Sequence, residues 1–459
     1  MPDDNTRRLY IETYGCQMNA YDSERMAEAL APLGFVAADA PEDADLAIVN
    51  TCHIREKATE KLYSELGRLR QVSREKVKRG GKALRIGVAG CVAQAEGEEL
   101  LARADGVDLL VGPQSYHRLG EMTRSLLEQE GSNAPQVSMD FPAREKFQSL
   151  PPRSKQRAEE MKSSAFLSVQ EGCDKFCSFC VVPYTRGAEF SREVCDIEEE
   201  ARRLMDAGVK EITLLGQNVN AYHGRGTDGT EWRLGRLLNH LANLDGLERL
   251  RYTTSHPRDM DDELIRAHAE NEKLMPYLHL PVQSGSDAVL HSMNRRHSSA
   301  DYLRIIEKVR AARPDIAVSS DFIVGFPGET EDDFEATLSI VEEVGFARAY
   351  SFVYSARPGT PAADVRDPVP LEVKRERLAR LQTLLRRQQR DFNKMHEGKR
   401  LPVLLERDGR LPSQLVGRSP YFQPVYVQAD SNWRGRIADV HIRKAHENSL
   451  EGEPLAASS

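Results

Sequence analysis

What the sequence lacks excludes several classes of protein. No apolar stretch approaches the roughly 20 residues that a helix needs to cross a bilayer, and the acidic, polar start of the chain carries no secretory signal. With 63 Lys and Arg against 71 Asp and Glu, the net charge of −8 argues against a uniformly basic nucleic-acid-binding protein but permits a local basic surface. Seven cysteines, an odd number, do not suggest a disulfide framework. We therefore expect a cytoplasmic protein with reduced thiols and no membrane contact.

The length and composition predict a globular protein of several domains. A chain of 459 residues accommodates about three domains of roughly 150 residues each. The apolar content of 40% and the charged content of 29% are typical of globular proteins. We expect four segments, which are 6–125 (α/β domain), 126–162 (linker, rich in polar residues), 163–392 (barrel) and 393–450 (small β-barrel).

The first segment alternates predicted strands and helices, which indicates a parallel sheet with helices on its faces. Cys16, Cys52 and Cys91, here called the sheet cysteines, each follow a predicted strand. Because the carboxyl ends of parallel strands share one edge of a sheet, we expect the three thiols to converge. Three thiolates can hold three irons of a [4Fe–4S] cluster and leave the fourth open. The alternative is that they are buried cysteines acting as small hydrophobic residues.

Two glycines support the interpretation of the sheet cysteines as ligands. Gly15 and Gly90 directly precede Cys16 and Cys91, as expected where the backbone approaches a bulky ligand closely. His53 follows Cys52, but a lone histidine next to a ligand more often lies behind it or on the surface.

A second set of three cysteines, Cys173, Cys177 and Cys180, has the spacing CxxxCxxC and is here called the loop cysteines. Thiolates at this spacing also suit a [4Fe–4S] cluster with one open iron. A zinc site would need a fourth Cys or His nearby, and Cys195 lies beyond Pro183 and a predicted strand. The spacing resembles that of the radical S-adenosylmethionine (SAM) superfamily, in which the open iron binds the amino and carboxylate groups of SAM.

The central segment predicts a partial (β/α)6 barrel of the TIM type. Strand patterns alternate with helical patterns, and no closing pair of units follows the sixth. The predicted strands are 165–169, 211–215, 250–254, 277–282, 317–324 and 349–354.

Loops after the barrel strands are the expected lining of a SAM site, because function in such barrels gathers at these strand ends. The candidate SAM-binding residues in or beside these loops are Gln217, Asn218, Ser255, Gln283, Asp321, Ile323 and Gly325. The resemblance implies that the segment 321–325 packs on the adenine and that Gln217 and Asn218 hold the methionine end. For Gln217, capping of a turn is an equally simple role. His256, His279 and Arg295 could contribute, although each is more often structural or exposed.

The C-terminal part changes from helix to short strands. Residues 371–400 predict a helix with ten Lys and Arg against four Asp and Glu, which suggests a phosphate-facing surface. Strand patterns at 401–406, 414–417, 424–428 and 435–442 predict a small antiparallel β-barrel, and the tail after Asn448 suggests disorder.

Aromatic and cationic residues alternate in the predicted small barrel and suit RNA binding. The candidate RNA-binding residues are Arg418, Tyr421, Phe422, Trp433 and Arg434. The alternative is that Phe422 and Trp433 fill the core.

The motifs together resemble the methylthiotransferase family of radical SAM enzymes, along nearly the whole chain. The last segment resembles the TRAM RNA-binding module of that family. The match is closest to the members that modify tRNA, and no cluster-ligand position departs from their pattern. The matching runs are Tyr-Gly-Cys16-Gln-Met-Asn, Asn-Thr-Cys52-His-Ile-Arg-Glu, Gly-Cys91-Val-Ala-Gln, Gly-Cys173-Asp-Lys-Phe-Cys177-Ser-Phe-Cys180-Val-Val-Pro-Tyr-Thr-Arg-Gly and Leu-Gly-Gln217-Asn-Val-Asn.

The resemblance implies two [4Fe–4S] clusters and a radical reaction on tRNA. The loop cysteines would hold the cluster that cleaves SAM, and the sheet cysteines an auxiliary cluster that supplies sulfur. One SAM methylates this sulfur, and a second yields a radical that removes hydrogen from C2 of N6-isopentenyladenosine at position 37. A radical suits this C2–H bond, which is not acidic enough for a side-chain base, and the chemistry belongs to the cofactors. The target base lies in the anticodon loop, where bases can be splayed out.

Alternatives and partners follow from the same resemblance. The sister enzymes act on an aspartate of a small-subunit ribosomal protein or on threonylcarbamoyl-adenosine in tRNA. A non-enzymatic iron–sulfur RNA-binding sensor is an alternative of another class. The implied partners are tRNA, an electron donor such as flavodoxin or ferredoxin, and an iron–sulfur assembly carrier. We expect a monomer, with Cys195 structural.

Overall fold

The computed structural model describes residues 6–53, 56–128, 134–141, 143–151, 163–366 and 368–455. The chain forms two compact units. The first contains residues 1–157, 171–174 and 180–190, and the second contains 158–170, 175–179 and 191–459. Among the described residues, no helix is both long and apolar enough to cross a membrane.

The first unit is built on a parallel sheet, as the alternating sequence pattern predicted. The described residues give it six strands in the order β2-β1-β3-β4-β5-β6, with apolar clusters on its faces. The strands are β1 (Arg7–Tyr14), β2 (Phe35–Ala37), β3 (Leu46–Thr51), β4 (Arg85–Gly90), β5 (Leu109–Val111) and β6 (Gln136–Ser138). The helices are Gln17–Leu30, Glu56–Lys78, Cys91–Arg103, Leu119–Glu128, Ala143–Ser149 and Val182–Arg186.

The prediction that residues 126–162 form a linker is wrong for the middle of this segment. The strand β6 pairs with β5 at the edge of the sheet, and the Lys146 side chain in the helix Ala143–Ser149 is fully buried. A strand of three residues is too short for periodicity to reveal, because its pairing partner lies elsewhere in the chain. Residues 129–133, 142 and 152–162 of the predicted linker lie outside the described residues.

The second unit contains the predicted partial barrel. Its strands form two parallel groups of three, and an isolated parallel bridge between Leu250 and Leu274 connects the groups. The strands are Ser164–Ser168, Glu211–Leu215, Arg249–Tyr252, Tyr277–His279, Ala317–Val324 and Arg348–Val353. The helices between them are Val194–Asp206, Leu234–Ala242, Asp262–Glu270, Asp287–Ser292, Ser299–Ala312 and Glu331–Val344.

The basic helix Leu371–Lys394 packs on the sixth barrel strand and places Leu381 and Leu385 in the barrel core. Several of its cations pair with carboxylates on or just before the helix Glu331–Val344. The pairs are Arg377 with Glu329 at 2.8 Å, Arg380 with Glu331 at 2.6 Å and Arg387 with Glu342 at 3.6 Å. Arg377 is buried by its pair and does not face phosphate, whereas a phosphate-facing role of the exposed Arg380 and Arg387 stays a prediction.

The small β-barrel closes with one strand more than the sequence predicted. Its described strands are Arg400–Asp408, Gln414–Arg418, Pro424–Gln428, Ile437–Ala445 and Leu450–Pro454. The pairing is antiparallel except between Pro424–Gln428 and Leu450–Pro454, which run parallel.

The expectation of disorder after Asn448 is wrong for residues 450–454, whereas residues 456–459 lie outside the described residues. Leu450 is fully buried, and a Cβ on Gly452 would lie only 2.5 Å from Val440. Such a short segment becomes a strand because it fits between two open edges of the barrel.

The strand Leu450–Pro454, which closes the small barrel, gives a prediction about stability. Leu450→Ala leaves a cavity in the small-barrel core and is expected to cost roughly 2 to 5 kcal/mol of unfolding free energy. Leu411→Ala, at a position where the side chain is 62% exposed, is the matched control and is expected to change stability by less than about 0.5 kcal/mol. Denaturant unfolding monitored by circular dichroism measures both. Equal effects would contradict the closing role of residues 450–454.

Candidate functional site

The sheet cysteines lie at one edge of the first unit's sheet, as predicted. The strand β3 runs between β1 and β4, and the register pairs Tyr14 with Thr51 and Thr51 with Gly90. Cys52 and Cys91 follow the last two of these residues directly, and Cys16 follows Tyr14 by two positions. The pairing therefore sets all three thiols at the carboxyl ends of adjacent strands, where open parallel sheets bind ligands.

The glycines before two of the sheet cysteines are required by close approach of neighbouring strand ends. Gly15 has φ +135°, and a Cβ there would lie 2.5 Å from the Cβ of Cys52. Gly90 has φ +90°, and its Cβ would lie 2.4 Å from Oδ1 of Asn50. The sequence correctly marked a close approach, but the structure identifies protein atoms as the neighbours.

Two buried asparagines fix the ends of β1 and β3. Asn19 donates from Nδ2 to Oδ1 of Asn50 at 3.1 Å, and Asn50 donates to the backbone oxygen of Asn19 at 2.8 Å. The Cys16 thiol donates to Oδ1 of Asn19 at 3.2 Å. The amides thus hold the turn that carries Cys16 against the strand that carries Cys52.

The surroundings favour the thiolate form of Cys16 and oppose that of Cys91. The pKa of Cys16 is lowered to about 6, first by a hydrogen bond with Cys52 and further by the cation of Arg186. Burial raises the pKa of Cys91, and Arg186 opposes this through its charge and a hydrogen bond. A thiolate is the form that ligates metal.

Arg186 is a buried cation with unused hydrogen-bonding capacity beside the sheet cysteines. The side chain is 3% exposed, and its Nη2 donates to Asp22 at 2.5 Å. Its Nη1 is buried and makes no hydrogen bond among the described residues, although the Glu171 carboxylate lies 3.7 Å away. A donor left unpaired in this place fits an anionic group held by the thiolates, such as an iron–sulfur cluster.

A buried ion network lies behind Arg186. The Lys146 ammonium contacts the Glu171 carboxylate at 2.6 and 2.8 Å and the Pro113 carbonyl at 2.9 Å. Two carboxylates, those of Asp22 and Glu171, thus face two cations. Sequence reasoning missed this network because its members are far apart in the chain and only Arg186 belongs to a recognised motif.

The loop cysteines differ in exposure. Cys177 is buried, whereas Cys173 and Cys180 are half-buried. Arg295 directs Nη1 to the sulfur of Cys177 at 3.5 Å. The sequence raised Arg295 only as a possible contributor, so this contact is a finding of the structure.

The part of the loop in the second unit, residues 175–179, is fastened by residues that the sequence did not single out. Lys175 pairs with Asp259 at 2.7 Å, and Asn294 donates to the carbonyl of Phe176 at 2.7 Å. Phe176 has φ +48°, in the left-handed region, and its ring is 51% exposed. A strained non-glycine residue held in this way is characteristic of a functional loop.

The candidate SAM-binding residues follow the barrel strands, and several carry unsatisfied polar atoms. Asn218 donates to Asp259 at 2.8 Å, but its Oδ1 is buried without a partner among the described atoms. The Ser255 hydroxyl and Nε2 of His256 are also buried without a hydrogen-bond partner among the described atoms. Unpaired buried polar atoms are uncommon, and together they fit a polar ligand. Gln217 lies beside Asn218, in the loop after the second strand.

The remaining candidates belong to the fourth and fifth strand ends. Gln283, at φ +78°, bonds through its backbone to Asp321 and Ile323. The Asp321 carboxylate lies 3.7 Å from the His279 ring. At Gly325, a Cβ would lie 2.3 Å from Cγ of Lys374, so helix packing already requires this glycine. SAM binding by these residues stays a prediction.

The candidate RNA-binding residues take part in protein contacts. Tyr421 packs on Phe392 and His396, and Phe422 packs on Tyr277. These rings face residues outside the small barrel. Base stacking by Tyr421 and Phe422 stays a prediction. A stacked base would have to replace these ring contacts.

The other three candidates have intramolecular partners as well. Arg418 stacks on Phe422 and lies 3.3 Å from Glu406, and Arg434 pairs with Asp408 at 2.6 Å. Trp433 packs against the small-barrel core, which is the alternative that its sequence position left open. RNA binding by these residues also stays a prediction.

Buried arginines of the third barrel strand hold the small barrel. Arg249 donates to the carbonyls of Arg418 and Pro402, and Arg251 donates to those of Pro420 and Ser419. Glu211 lies 3.0 Å from Arg251 and provides the opposite charge. The small barrel is therefore attached to the central barrel through its backbone.

The chain matches three known families in sequence order. Residues 8–112 match the uncharacterized protein family UPF0004, residues 167–341 the radical SAM superfamily and residues 394–455 the TRAM domain. The fold and the loop cysteines thus define a radical SAM enzyme, whose class uses SAM and a [4Fe–4S] cluster.

Curated relatives identify the family. The tRNA-2-methylthio-N(6)-dimethylallyladenosine synthase of Bartonella tribocorum is 58% identical over 97% of this chain and 96% of its own length. The protein of the same name from Bartonella bacilliformis is also 58% identical, over 98% of this chain and 96% of its own length. The chain belongs to the family of these tRNA-2-methylthio-N(6)-dimethylallyladenosine synthases, which are radical SAM methylthiotransferases.

Solved structures with a similar fold are more distant in sequence. The cobalamin-dependent SAM radical enzyme OxsB is 12% identical, with a TM-score of 0.53, over 83% of this chain and 56% of its own. The radical SAM methyltransferase TsrM from Kitasatospora setae is 15% identical, with a TM-score of 0.55, over 78% of this chain and 77% of its own. These similarities support the fold alone.

The close approach at Gly15 gives a testable prediction. Gly15→Ala places a methyl group against Cys52 in a backbone conformation that disfavours alanine, and is expected to cost about 1 to 3 kcal/mol of stability. We also expect iron binding at the sheet cysteines to fall, as measured by iron content after anaerobic reconstitution. Gly67→Ala, in a helix with no atom within 4 Å of the new Cβ, is the control and is expected to be neutral or stabilising. Full iron content in Gly15→Ala would argue against the tight geometry.

Proposed function

We propose that this enzyme replaces the C2 hydrogen of N6-isopentenyladenosine, at position 37 of tRNA, with a methylthio group. The proposal includes two [4Fe–4S] clusters, one at each set of three cysteines, and SAM as co-substrate. The tRNA substrate is taken from the names of relatives that match over nearly the whole chain.

The observation that carries the proposal is the second set of three cysteines. SAM cleavage needs only the loop cysteines, so another set of thiols at the carboxyl ends of β1, β3 and β4 calls for a further task. Delivery of sulfur to an unactivated carbon is such a task. When bound, the cluster of the loop cysteines would supply the electron that cleaves SAM, and that of the sheet cysteines would supply the sulfur.

The protein's own residues prepare the sheet cysteines for a cluster. Gly15 lets two strand ends approach, Asn19 and Asn50 fix them, and Arg186 supplies positive charge. Thiolates are formed most readily where such a cation lies near.

The barrel residues bind and orient SAM in this proposal. The free oxygen of Asn218 and the hydroxyl of Ser255 suit the polar methionine end, with Gln217 beside them. Gln283 and Asp321 hold the neighbouring strand ends through the backbone, and Ile323 offers an apolar surface to the adenine.

The proposed partners follow from the reaction. The anticodon loop of tRNA presents the target base, and the TRAM-like barrel contacts the RNA. An electron donor such as flavodoxin or ferredoxin reduces the enzyme, and an iron–sulfur carrier rebuilds the sulfur source. The enzyme works as a monomer in the cytoplasm, where thiols stay reduced.

Counting iron tests the cofactor set. The reconstituted protein is expected to hold about eight irons per chain, and the Cys173/Cys177/Cys180→Ala variant about four, because each set serves its own cluster. The Cys16/Cys52/Cys91→Ala variant is likewise expected to hold about four. Iron and sulfide analysis measures all three proteins.

Cys195 provides the matched control for these variants. It is exposed, and Cys195→Ala is expected to keep the full iron content. About four irons in the parent, falling to none without the loop cysteines, would mean that the sheet cysteines hold no cluster. The sulfur-delivery mechanism would then be wrong.

A further inference from the structure

We propose that Arg186 and Arg295 are positioning residues, each of which hydrogen-bonds the thiolate-held cluster at its own cysteine set and raises that cluster's reduction potential. The inference rests on the proposed function for the presence of two clusters. It goes beyond that function by assigning each cluster a separate residue that controls its potential.

Arg295 is a buried cation whose surroundings offer it no carboxylate. The side chain is 5% exposed, with Nη1 on the Cys177 sulfur at 3.5 Å and Nη2 on the carbonyl of Pro281. No carboxylate forms an ion pair with it within the described part of the chain. The imidazoles of His256 and His297 are nearby and carry no negative charge.

This arrangement calls for a negative group at Cys177. Burying a cation without an opposite charge is strongly unfavourable. A neutral thiol is a weak acceptor and cannot offset that cost. A thiolate-held cluster can, because its sulfurs are anionic acceptors of N–H donors.

Arg186 is likewise a buried arginine near the sheet cysteines, but unlike Arg295 it is paired with a carboxylate. Its Nη2 is already paired with Asp22, whereas the buried Nη1 makes no hydrogen bond among the described residues and lies 3.7 Å from the Glu171 carboxylate. Asp22 thus fixes the guanidinium and leaves the Nη1 protons available to an acceptor held by the sheet cysteines. Arg186 thus lies with the sheet cysteines in the first compact unit, and Arg295 lies with Cys177 in the second.

The physical consequence concerns electron transfer. A cluster gains negative charge on reduction, so N–H donors and a nearby cation stabilise its reduced form and raise its potential. Removing one arginine should lower the potential of the cluster beside it. The other cluster has its own arginine and should keep its potential.

The test measures each cluster alone. Arg295→Gln is made in the Cys16/Cys52/Cys91→Ala protein, and Arg186→Gln in the Cys173/Cys177/Cys180→Ala protein. Potentiometric titration monitored by electron paramagnetic resonance gives the reduction potential, and iron analysis gives the occupancy. We expect a lower potential in each glutamine variant, with a smaller shift in Arg295→Lys and Arg186→Lys, which keep the charge.

Matched controls separate this role from a merely structural one. In the protein with both clusters, Arg295→Gln should lower the reduction potential of the loop-cysteine cluster alone. Arg186→Gln should lower the reduction potential of the sheet-cysteine cluster alone. Because Arg186→Gln leaves two carboxylates, Asp22 and Glu171, facing only the Lys146 cation, the Asp22→Asn/Arg186→Gln double variant restores the charge balance. It should fold, as measured by thermal melting, and still show the lowered potential.

An unchanged potential at full iron content would overturn the inference for that arginine. Equal shifts in the reduction potentials of both clusters in one variant would overturn the inference that each arginine acts on its own cluster alone. Failure of the parent protein to modify tRNA, with both clusters present and both potentials responding, would contradict the proposed function and leave this inference standing.

Discussion

Parallel pairing of β3 with β1 on one side and β4 on the other is the constraint on which the sheet-cysteine site depends. The register places Tyr14, Thr51 and Gly90 in one row, and the three cysteines follow that row at the same edge. A shift of one residue in this pairing would misalign the thiols. The glycine at position 15 and the Asn19–Asn50 hydrogen bonds lock the row where the strands end.

Charge burial is the second constraint, and it has a similar form at both cysteine sets. Arg186 and Arg295 are both nearly inaccessible to solvent; Arg295 contacts the Cys177 sulfur, and the charge of Arg186 opposes the rise in the pKa of Cys91 that burial causes. Desolvated cations are tolerated where opposite charge or strong acceptors face them. Asp22 and Glu171 meet part of this requirement for Arg186, which they share with Lys146, and the thiolates of a bound cluster would add acceptors for Nη1.

Much of the fold was predictable because its signals are local or periodic. The apolar strands before the sheet cysteines, the CxxxCxxC spacing and the alternating barrel pattern all lie within short windows of sequence. The strand β6 and the strand Leu450–Pro454 were missed, because three to five residues become strands only when an edge is available. The positions of Lys146, Tyr421 and Phe422 also depend on partners far away in the chain, which propensity does not reveal.

The most direct test of the proposed reaction uses tRNA whose N6-isopentenyladenosine carries deuterium at C2. The reconstituted enzyme, SAM and a reductant are incubated with it without oxygen, and the nucleosides are analysed by mass spectrometry. The account predicts a methylthio group in place of the deuterium, with that deuterium recovered in 5′-deoxyadenosine. Cleavage of SAM with the deuterium retained in an unmodified nucleoside would contradict it.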